Sequence, residues 1–220
     1  MSAAATLGFT SAGRVGVALE AGGVWHLAQP EGQALEALLP AIRALLARAR
    51  IDVADIGLLG VCTGPGSFTG LRIGVALAKS IAQARAVPLI GVSSYDVAEA
   101  ALPDDAYPRV AIVEGKRGYH YRRTTPARDA EPEFAHGDVA VLPELEARAA
   151  IAQLFDLPAA EQAARVARIA AARAAHGSDV DWRRVAIDYG QRPNAVTNWE
   201  SRARASQGVG AAESANPPRE

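Results

Sequence analysis

The sequence has little cysteine, few aromatic residues and almost no net charge. Its single cysteine, Cys62, excludes an intramolecular disulfide and the small disulfide-stapled folds. The formal net charge is -1 over 220 residues, so no broad electrostatic field attracts the chain to nucleic acid or to a membrane surface. Any contact with RNA therefore requires a local basic patch or a partner protein.

Long hydrophobic runs are missing as well. Charged residues or glycine interrupt every apolar stretch before it reaches the roughly 20 residues that a membrane-spanning helix needs. The first residues also lack the charged and then apolar pattern of a secretory signal. We therefore expect a cytoplasmic protein without membrane contact. Half of its residues are apolar (50%), which is enough for a sizeable core at this length.

Apolar periodicity in the first half predicts strands that alternate with helices. The opening residues predict three strands, over 6–10, 14–20 and 24–28. The spacing of large aliphatic residues predicts an amphipathic helix over 33–49, in which Pro40 should cause a kink or a new start. The elements predicted next are a buried strand over 56–62, a glycine-rich loop, a helix ending near 85–86, a strand over 88–92 and a helix over 95–101. This order favours an α/β fold.

The second half predicts a smaller lobe and a tail. Pro and Asp over 102–108 mark a boundary, so we divide the chain into 1–102, 103–190 and 191–220. The elements predicted in the second lobe are a hairpin of 109–114 and 119–124, a third strand over 139–142, and Ala-rich helices over 144–154 and 159–176. Loss of periodicity after 190 predicts a mobile C-terminal segment.

The glycine-rich loop is the strongest candidate for a binding site. Five of its residues are candidates for nucleotide contact, because a strand that runs through glycines into a helix can hold an anion on backbone amides: Gly64, Gly66, Ser67, Thr69 and Gly70. The loop lacks the lysine of a Walker P-loop, and its GxGxxxG spacing differs from the dinucleotide fingerprint GxGxxG. The alternative is that the glycines only permit a tight turn and close packing.

The segment GPGSFTGLRIGVALAKSIA, which begins at Gly64, resembles the TsaB/TsaD family along its whole length. Three further segments resemble the same family: LLPAIRALL at 38–46, PLIGVSSYD at 88–96 and VEGKRGYHY at 113–121. The resemblance implies an actin-like ATPase (ribonuclease H-like) fold of two lobes, the second of them small. The length is similar to that of the short TsaB members.

Metal chemistry separates the members of this family. The catalytic member, TsaD, carries an HxxxH pair that binds a metal. The histidines of this chain are His26, His120, His136 and His176, and none is four residues from another. Phe9 also stands where the family has an aspartate at its first phosphate-facing loop. The resemblance therefore implies a pseudo-enzyme, and we assign no catalytic and no metal-binding residue.

The resemblance implies a role beside TsaD, in transfer of the threonylcarbamoyl group to the adenosine next to the anticodon of tRNAs. It further implies TsaE as a partner, TsaC as the source of the activated intermediate, contact with tRNA through the complex, and a homodimer in the absence of TsaD. No cofactor of its own is expected, and ATP or ADP at the partner interface stays open. The rival functions are a stand-alone ATP-dependent small-molecule kinase of the same fold and a glycoprotease-like hydrolase.

Family members associate through the helices on either side of the glycine-rich loop. The corresponding residues here are Leu35, Leu38, Leu39, Ile42, Leu45, Leu46, Leu71, Val75, Ala78 and Lys79. For each of them the alternative is burial within the monomer. Basic residues in and near the second-lobe hairpin form a candidate tRNA contact: Lys116, Arg117, Arg122, Arg123 and Arg128. The alternative there is a solvated charged tip.

Overall fold

The chain forms two β-sheets with helices packed against them. The computed structural model describes residues 4–115, 119–138 and 149–190. The first sheet has the order β3-β2-β1-β4-β5 and contains β1 (Ala5–Thr10), β2 (Gly16–Ala21), β3 (Val24–Ala28), β4 (Ile56–Gly64) and β5 (Leu89–Ser93). Strands β1, β4 and β5 are parallel, whereas β2 is antiparallel to both of its neighbours. The parallel part requires crossover helices.

The second sheet is smaller and has the order β8-β7-β6-β9. It contains β6 (Arg109–Glu114), β7 (Tyr119–Thr125), β8 (Glu133–Asp138) and β9 (Ala150–Gln153). Strands β6, β7 and β8 form an antiparallel meander, and β9 lies parallel to β6. The predicted hairpin is therefore confirmed.

Helices cover both faces of the first sheet. Those among the described residues are α1 (Ala34–Ala49), α2 (Phe68–Arg85), α3 (Ser94–Glu99) and α4 (Ala159–Ala175). The odd positions of β1, such as Leu7 and Phe9, join the apolar side chains of α1 and α2 in one cluster. The even position Gly8 faces α4 on the opposite side, as the alternation of a strand requires.

Helix α4 approaches the first sheet closely, because both surfaces consist of small residues. It crosses β1, β2, β4 and β5, and its inward residues Ala163 and Ala167 are 0% exposed. A Cβ at Gly8 would lie 2.7 Å from the carbonyl oxygen of Ala163, and one at Gly16 would overlap the backbone of Ala159. The helix therefore packs backbone to backbone on this face.

Asp96 of α3 joins the two sheets. Its carboxylate forms ion pairs with Arg123 of β7 (2.7 Å) and Arg173 of α4 (2.6 Å). Arg123 also pairs with Glu99 (2.9 Å), and Arg173 donates a hydrogen bond to the carbonyl oxygen of Gly91 in β5 (3.1 Å). Burial alone would lower the pKa of Arg123, but the hydrogen bond to Glu99 and the charge of Asp96 raise it. One carboxylate therefore connects α3, α4 and β7.

Two predicted elements are corrected. Helix α1 continues through Pro40, which is exposed, so the new start allowed for there is wrong; a kink at Pro40 stays a prediction. The helix predicted over 144–154 is wrong at its end, because Ala150–Gln153 is strand β9 and Leu154–Asp156 is one turn of 3-10 helix. Pairing with β6 overrides the helix propensity of alanine.

The remaining predictions about the second half concern lobes and the tail. The third strand predicted over 139–142 and the tail over 191–220 lie outside the described residues. The division into lobes 1–102 and 103–190 stays a prediction, although α4, from the second range, packs on the first sheet. Residues Met1–Asp188 form one compact unit, and the second unit, Tyr189–Glu220, is described only at 189 and 190. Among the described residues, no helix has the length and apolarity needed to cross a membrane.

Candidate functional site

The glycine-rich loop joins the end of β4 to the start of α2. Gly64 has a φ of 107°, a backbone conformation that glycine adopts without strain. A Cβ there would also overlap the carbonyl oxygen of Asp188, whose amide donates to the carbonyl of Thr63 (2.9 Å). Ser67 caps α2, since its Oγ accepts a hydrogen bond from the amide of Gly70 (3.3 Å). The loop is therefore held at both ends.

The turn after β1 packs against the same loop. Ser11 Oγ donates a hydrogen bond to the carbonyl oxygen of Gly70 (2.7 Å), and the amide of Ser67 donates to the carbonyl oxygen of Ala12 (2.5 Å). A Cβ at Gly70 would overlap the carbonyl oxygen of Ser11, and one at Gly66 would press on that of Ala12. The two turns thus meet backbone to backbone and fill the space between them at these positions.

The five candidates for nucleotide contact lie together from the end of β4 to the first turn of α2 but differ in exposure. Gly64 and Gly70 are buried, Gly66 and Ser67 are half-buried, and Thr69 is exposed. The amides of Ser67 and Gly70 already donate within the protein, so a phosphate would have to break these hydrogen bonds to reach them. Nucleotide contact by this loop stays a prediction. The alternative of a closely packed turn accounts for the contacts observed.

Phe9 lies in the apolar core and does not reach the loop surface. Its side chain is 0% exposed and pairs in register with Val17 of β2 and Val61 of β4. A carboxylate at this position would lose its hydration among apolar side chains. The next two residues, Thr10 and Ser11, are buried too. The end of β1 and the turn that follows it are therefore part of the packed interior in this chain.

Cys62 belongs to a buried hydrogen-bonded chain below the loop. Its Sγ lies 3.2 Å from Ser94 Oγ, and Ser94 Oγ donates to the carbonyl oxygen of Pro65 (2.6 Å). Because the serine hydroxyl donates to Pro65, the thiol donates to the serine. Burial is the main cause that raises the pKa of Cys62, which keeps the thiol protonated and unreactive. This geometry supports a structural role for Cys62.

The predicted partner interface is corrected for seven of its ten residues. They are buried in the protein's own core, because the inward faces of α1 and α2 cover the sheet: Leu38, Ile42, Leu45, Leu46, Leu71, Val75 and Ala78. Leu35 is 74% exposed and Leu39 is 42% exposed, and Lys79 is half-buried. Contact of these three with a partner stays a prediction.

The described residues of the candidate tRNA contact differ in their surroundings. Arg123 is occupied by Asp96 and Glu99, and Arg128 donates to the carbonyl oxygen of Asp104 (3.2 Å). Arg122 is half-buried. Lys116 and Arg117 lie outside the described residues. The tRNA contact predicted for this group therefore loses Arg123 as an available cation.

The structure brings together an exposed group of rings that the sequence reasoning missed. Tyr119, Phe134 and His136 lie on neighbouring strands β7 and β8, and the centroids of the Tyr119 and His136 rings are 6.2 Å apart. The sequence patterns predicted no strand over 133–138, where the structure has β8. Alternation along β7 marks the face of Tyr119, but only the register with β8 adds the other two rings.

The described residues contain no group of three His, Cys, Asp or Glu side chains that could hold a metal ion. Neighbouring ionisable side chains form ion pairs with arginines instead, as around Asp96. The buried polar groups near the glycine-rich loop, including Ser11 and Ser94, are hydrogen-bonded within the chain. Around the glycine-rich loop, these buried side chains therefore serve to hold the packed turns together.

Residues 29–177 match the family described as TsaD, tRNA N6-adenosine threonylcarbamoyltransferase. The match covers more than half of the chain. The chain belongs to the TsaD family. Its glycine-rich loop and helices α1, α2 and α4 fall within the matched residues.

Individual relatives of this TsaD-family chain align over shorter stretches. It is similar to the tRNA threonylcarbamoyladenosine biosynthesis protein TsaB of Escherichia coli, with 35% identity over 86 residues, which is 38% of this chain and 37% of that protein. The TsaB of Bacillus subtilis is 41% identical over 58 residues, 26% of this chain and 25% of that protein. The chain thus spans well under half the length of these curated relatives.

A solved structure extends the similarity of the TsaD-family chain to the whole fold. YeaZ from Pseudomonas aeruginosa superposes with a TM-score of 0.66 and 19% identity, over 84% of this chain and 99% of that one. The α/β, actin-like ATPase fold that the sequence resemblance implies is therefore confirmed.

Proposed function

We propose that the protein is a non-catalytic, TsaB-like subunit that supports TsaD in transferring a threonylcarbamoyl group to the adenosine beside the anticodon of tRNAs. Family membership and the names of the relatives support this process. The observation that carries the subunit role is the glycine-rich loop, whose amides at Ser67 and Gly70 donate within the protein. Catalysis then belongs to the partner.

The proposal includes the assembly that the family resemblance implies. TsaD is the direct partner in the cytoplasm, TsaE is a further partner, and TsaC supplies the activated intermediate. A homodimer forms when TsaD is absent. The protein contacts tRNA through the complex and holds no cofactor of its own, and ATP or ADP binds only where the subunits meet.

The exposed side of α1 is the proposed TsaD contact. Leu35 and Leu39 are one turn apart on this helix and leave much of their apolar surface in water, 74% and 42%. Side chains three or four positions apart lie on the same helix face, and paired apolar anchors of this kind are typical of helix-mediated association. Lys79 of α2 adds a half-buried cation to the proposed contact.

Charge introduced at this face should separate the subunits. We expect the double variant Leu35→Glu, Leu39→Glu to lose co-purification with TsaD while its circular dichroism stays that of the wild type, because both side chains are exposed. Val24→Glu is the matched control, since Val24 is 56% exposed on the edge strand β3. Full recovery of TsaD by the double variant would reject this surface.

Reconstitution tests the function itself. Purified TsaC, TsaD, TsaE and tRNA should yield threonylcarbamoyladenosine only when this chain is added. Full modification in its absence would contradict the subunit role. ATP turnover by the chain alone would favour the kinase alternative, and peptide cleavage by the chain alone would favour the hydrolase.

A further inference from the structure

Strand β3 forms one edge of the first sheet. It pairs with β2 along its whole length, Val24–Ala28, in an unbroken register. Among the described residues, no strand pairs with its outer side. Val24 is 56% exposed and Leu27 is 37% exposed, so water reaches the side chains along this edge. The outer side of β3 is therefore a surface on which another strand could be added.

The turn between β2 and β3 determines which backbone groups of β3 point outward. Gly22 and Gly23 form a two-residue turn, with φ values of 59° and 82°. In such a hairpin the residues that flank the turn form a hydrogen-bonded pair, and hydrogen-bonded pairs then alternate with non-hydrogen-bonded ones. Every second residue of β3, beginning at Val24, therefore directs its backbone groups toward β2. The amides and carbonyls of Trp25 and Leu27 point outward.

Other sheet edges in the protein are covered or charged. At the opposite edge of the first sheet, the amide of Leu89 in β5 donates to the carbonyl oxygen of Val180 (3.1 Å), and Arg173 donates to the carbonyl oxygen of Gly91 (3.1 Å). The edge strand β8 of the second sheet has an acid at each end. Strand β3, with the sequence VWHLA, has no lysine, proline or acid. It therefore lacks the residues that usually keep edge strands from pairing.

We infer that β3 pairs antiparallel with β3 of a second copy of this chain, which joins the two first sheets into one. With the two-fold axis at His26, Trp25 of each copy lies opposite Leu27 of the other. These are the residues whose backbone groups point outward, so each such pair can exchange both of its N–H···O hydrogen bonds. The edge is therefore complementary to itself, as a two-fold dimer requires.

The side chains along the edge also complement one another. Trp25 is half-buried, and the Arg168 guanidinium lies 4.8 Å from the centroid of its ring, so the ring is already held in place. Leu27 of the second copy would pack beside this ring. On the other face of the sheet, the exposed Val24 would lie opposite the small Ala28 of the second copy. Both contacts remove apolar surface from water.

The charges favour a second copy over a charged partner strand. Because β3 contains no Asp, Glu, Lys or Arg, no such charges repel each other across the pair, and an acidic or basic strand would find no counter-charge there. The formal net charge of -1 also lets two copies approach with little repulsion. Pairing of one short strand buries less than the roughly 800 Å² per partner of a standard interface. We therefore expect a weak dimer that depends on protein concentration.

This contact goes beyond the proposed function, because it involves neither α1 nor α2. Sedimentation of the full chain therefore uses a background with Leu35→Glu and Leu39→Glu, which disables the proposed TsaD contact on α1. We expect this background protein to dimerise with a Kd of about 10–100 µM. The dimer seen in this background then forms at another surface.

Two substitutions in the same background test β3 itself. Leu27→Pro removes an outward N–H that β2 does not use, which an edge strand tolerates, and His26→Lys places two cations directly opposite each other at the axis. We expect each to weaken the dimer at least about 10-fold. Val53→Pro is the matched control, since Val53 is 36% exposed and begins a 3-10 turn, where proline is accepted. It should dimerise as the background protein does.

Amide hydrogen exchange locates the contact. As the concentration of the background protein rises through the dimer range, we expect exchange to slow at the amides of Trp25 and Leu27, because both become hydrogen-bonded to the second copy. Exchange at the amide of Val53 should stay the same. A dimer held by helices would leave the β3 amides unchanged.

Four results would overturn the inference. They are a background protein that stays monomeric up to about 1 mM, a dimer of normal strength in a folded Leu27→Pro or His26→Lys variant, unchanged exchange at Trp25 and Leu27, and a dimer weakened equally by Val53→Pro. Circular dichroism establishes that each variant is folded. The assay contains no TsaD, so a failed reconstitution of tRNA modification would reject the proposed subunit role and leave the β3 dimer standing.

Discussion

Gly70 shows at the scale of one residue why the family signature is retained in a loop that packs on itself. It lies in the first turn of α2, where alanine would ordinarily be favoured by about 0.5–1 kcal/mol. Its missing Cβ makes room for the carbonyl oxygen of Ser11, and its own carbonyl accepts from Ser11 Oγ. Packing against the first turn, not helix propensity, determines the residue.

The cost of replacing glycine by alanine should therefore differ between a crowded and an open site. We expect Gly70→Ala to lower the free energy of unfolding by about 2 kcal/mol, because the new methyl group displaces a backbone carbonyl. Gly137→Ala in β8 meets no atom within 4 Å, and it should change the free energy of unfolding by less than about 0.5 kcal/mol. Urea denaturation measures the free energy of unfolding of both variants. A Gly70→Ala protein as stable as the wild type would show that Gly70 and Ser11 are not closely packed.

At the scale of elements, Asp96 is the residue on which α3, α4 and β7 converge. Asp96→Asn keeps the shape of the side chain but removes the charge that pairs with Arg123 and Arg173. We expect a loss of about 2 kcal/mol in the free energy of unfolding, together with faster amide exchange in β7 and β8. Glu161→Gln, which breaks pairs along α4 alone, should cost less than about 0.5 kcal/mol. Equal losses for the two variants would contradict a special role for Asp96.

The elements also show how far the sequence leads. Helices α1 and α2 follow from their apolar period, α4 follows from the helix propensity of alanine, and strands β1, β3 and β6 follow from apolar runs bounded by turn residues. Strand β9 does not, because Ala150 and Ala152 favour helix locally and become strand only through pairing with β6. The burial of Leu38, Ile42 and Leu45 could not be separated from partner contact either, because an inward face and a docking face have the same period.

Candidate sites were harder to predict than elements. The glycine-rich loop was located correctly from its residues, but its contacts with Ser11 and Ala12 join positions more than fifty residues apart, which no local pattern reports. The grouping of Tyr119, Phe134 and His136 depends on the register between β7 and β8. Register is set by the sheet as a whole, so sequence spacing alone does not reveal which rings become neighbours.

For the whole molecule, one buried thiol and two buried phenols make the free energy of unfolding depend on pH. Burial is the main cause that raises the pKa values of Cys62, Tyr95 and Tyr121. The folded chain therefore keeps these protons to a higher pH than the unfolded chain does. Their contribution to stability is complete below the unfolded pKa values, about 8.5–10, and is lost as the pH rises through them toward the folded values.

We expect the urea midpoint of the wild type to fall between about pH 7.5 and about pH 10. Tyr95→Phe retains the ring that contacts Phe134 and Arg123 but has no phenol to ionise. Its midpoint should fall less over the same interval, whatever its value at neutral pH. Parallel midpoint curves for the two proteins would show that Tyr95 ionises alike in the folded and unfolded chains.

Helix α4 carries a consequence for how the protein is made. The face of the first sheet that contains Gly8 and Gly16 is completed only by a helix that begins at Ala159. On the ribosome, the amino-terminal strands therefore emerge long before the helix that covers them. Until then, a glycine-lined sheet surface lies bare in the nascent chain, and a helix synthesised much later covers it.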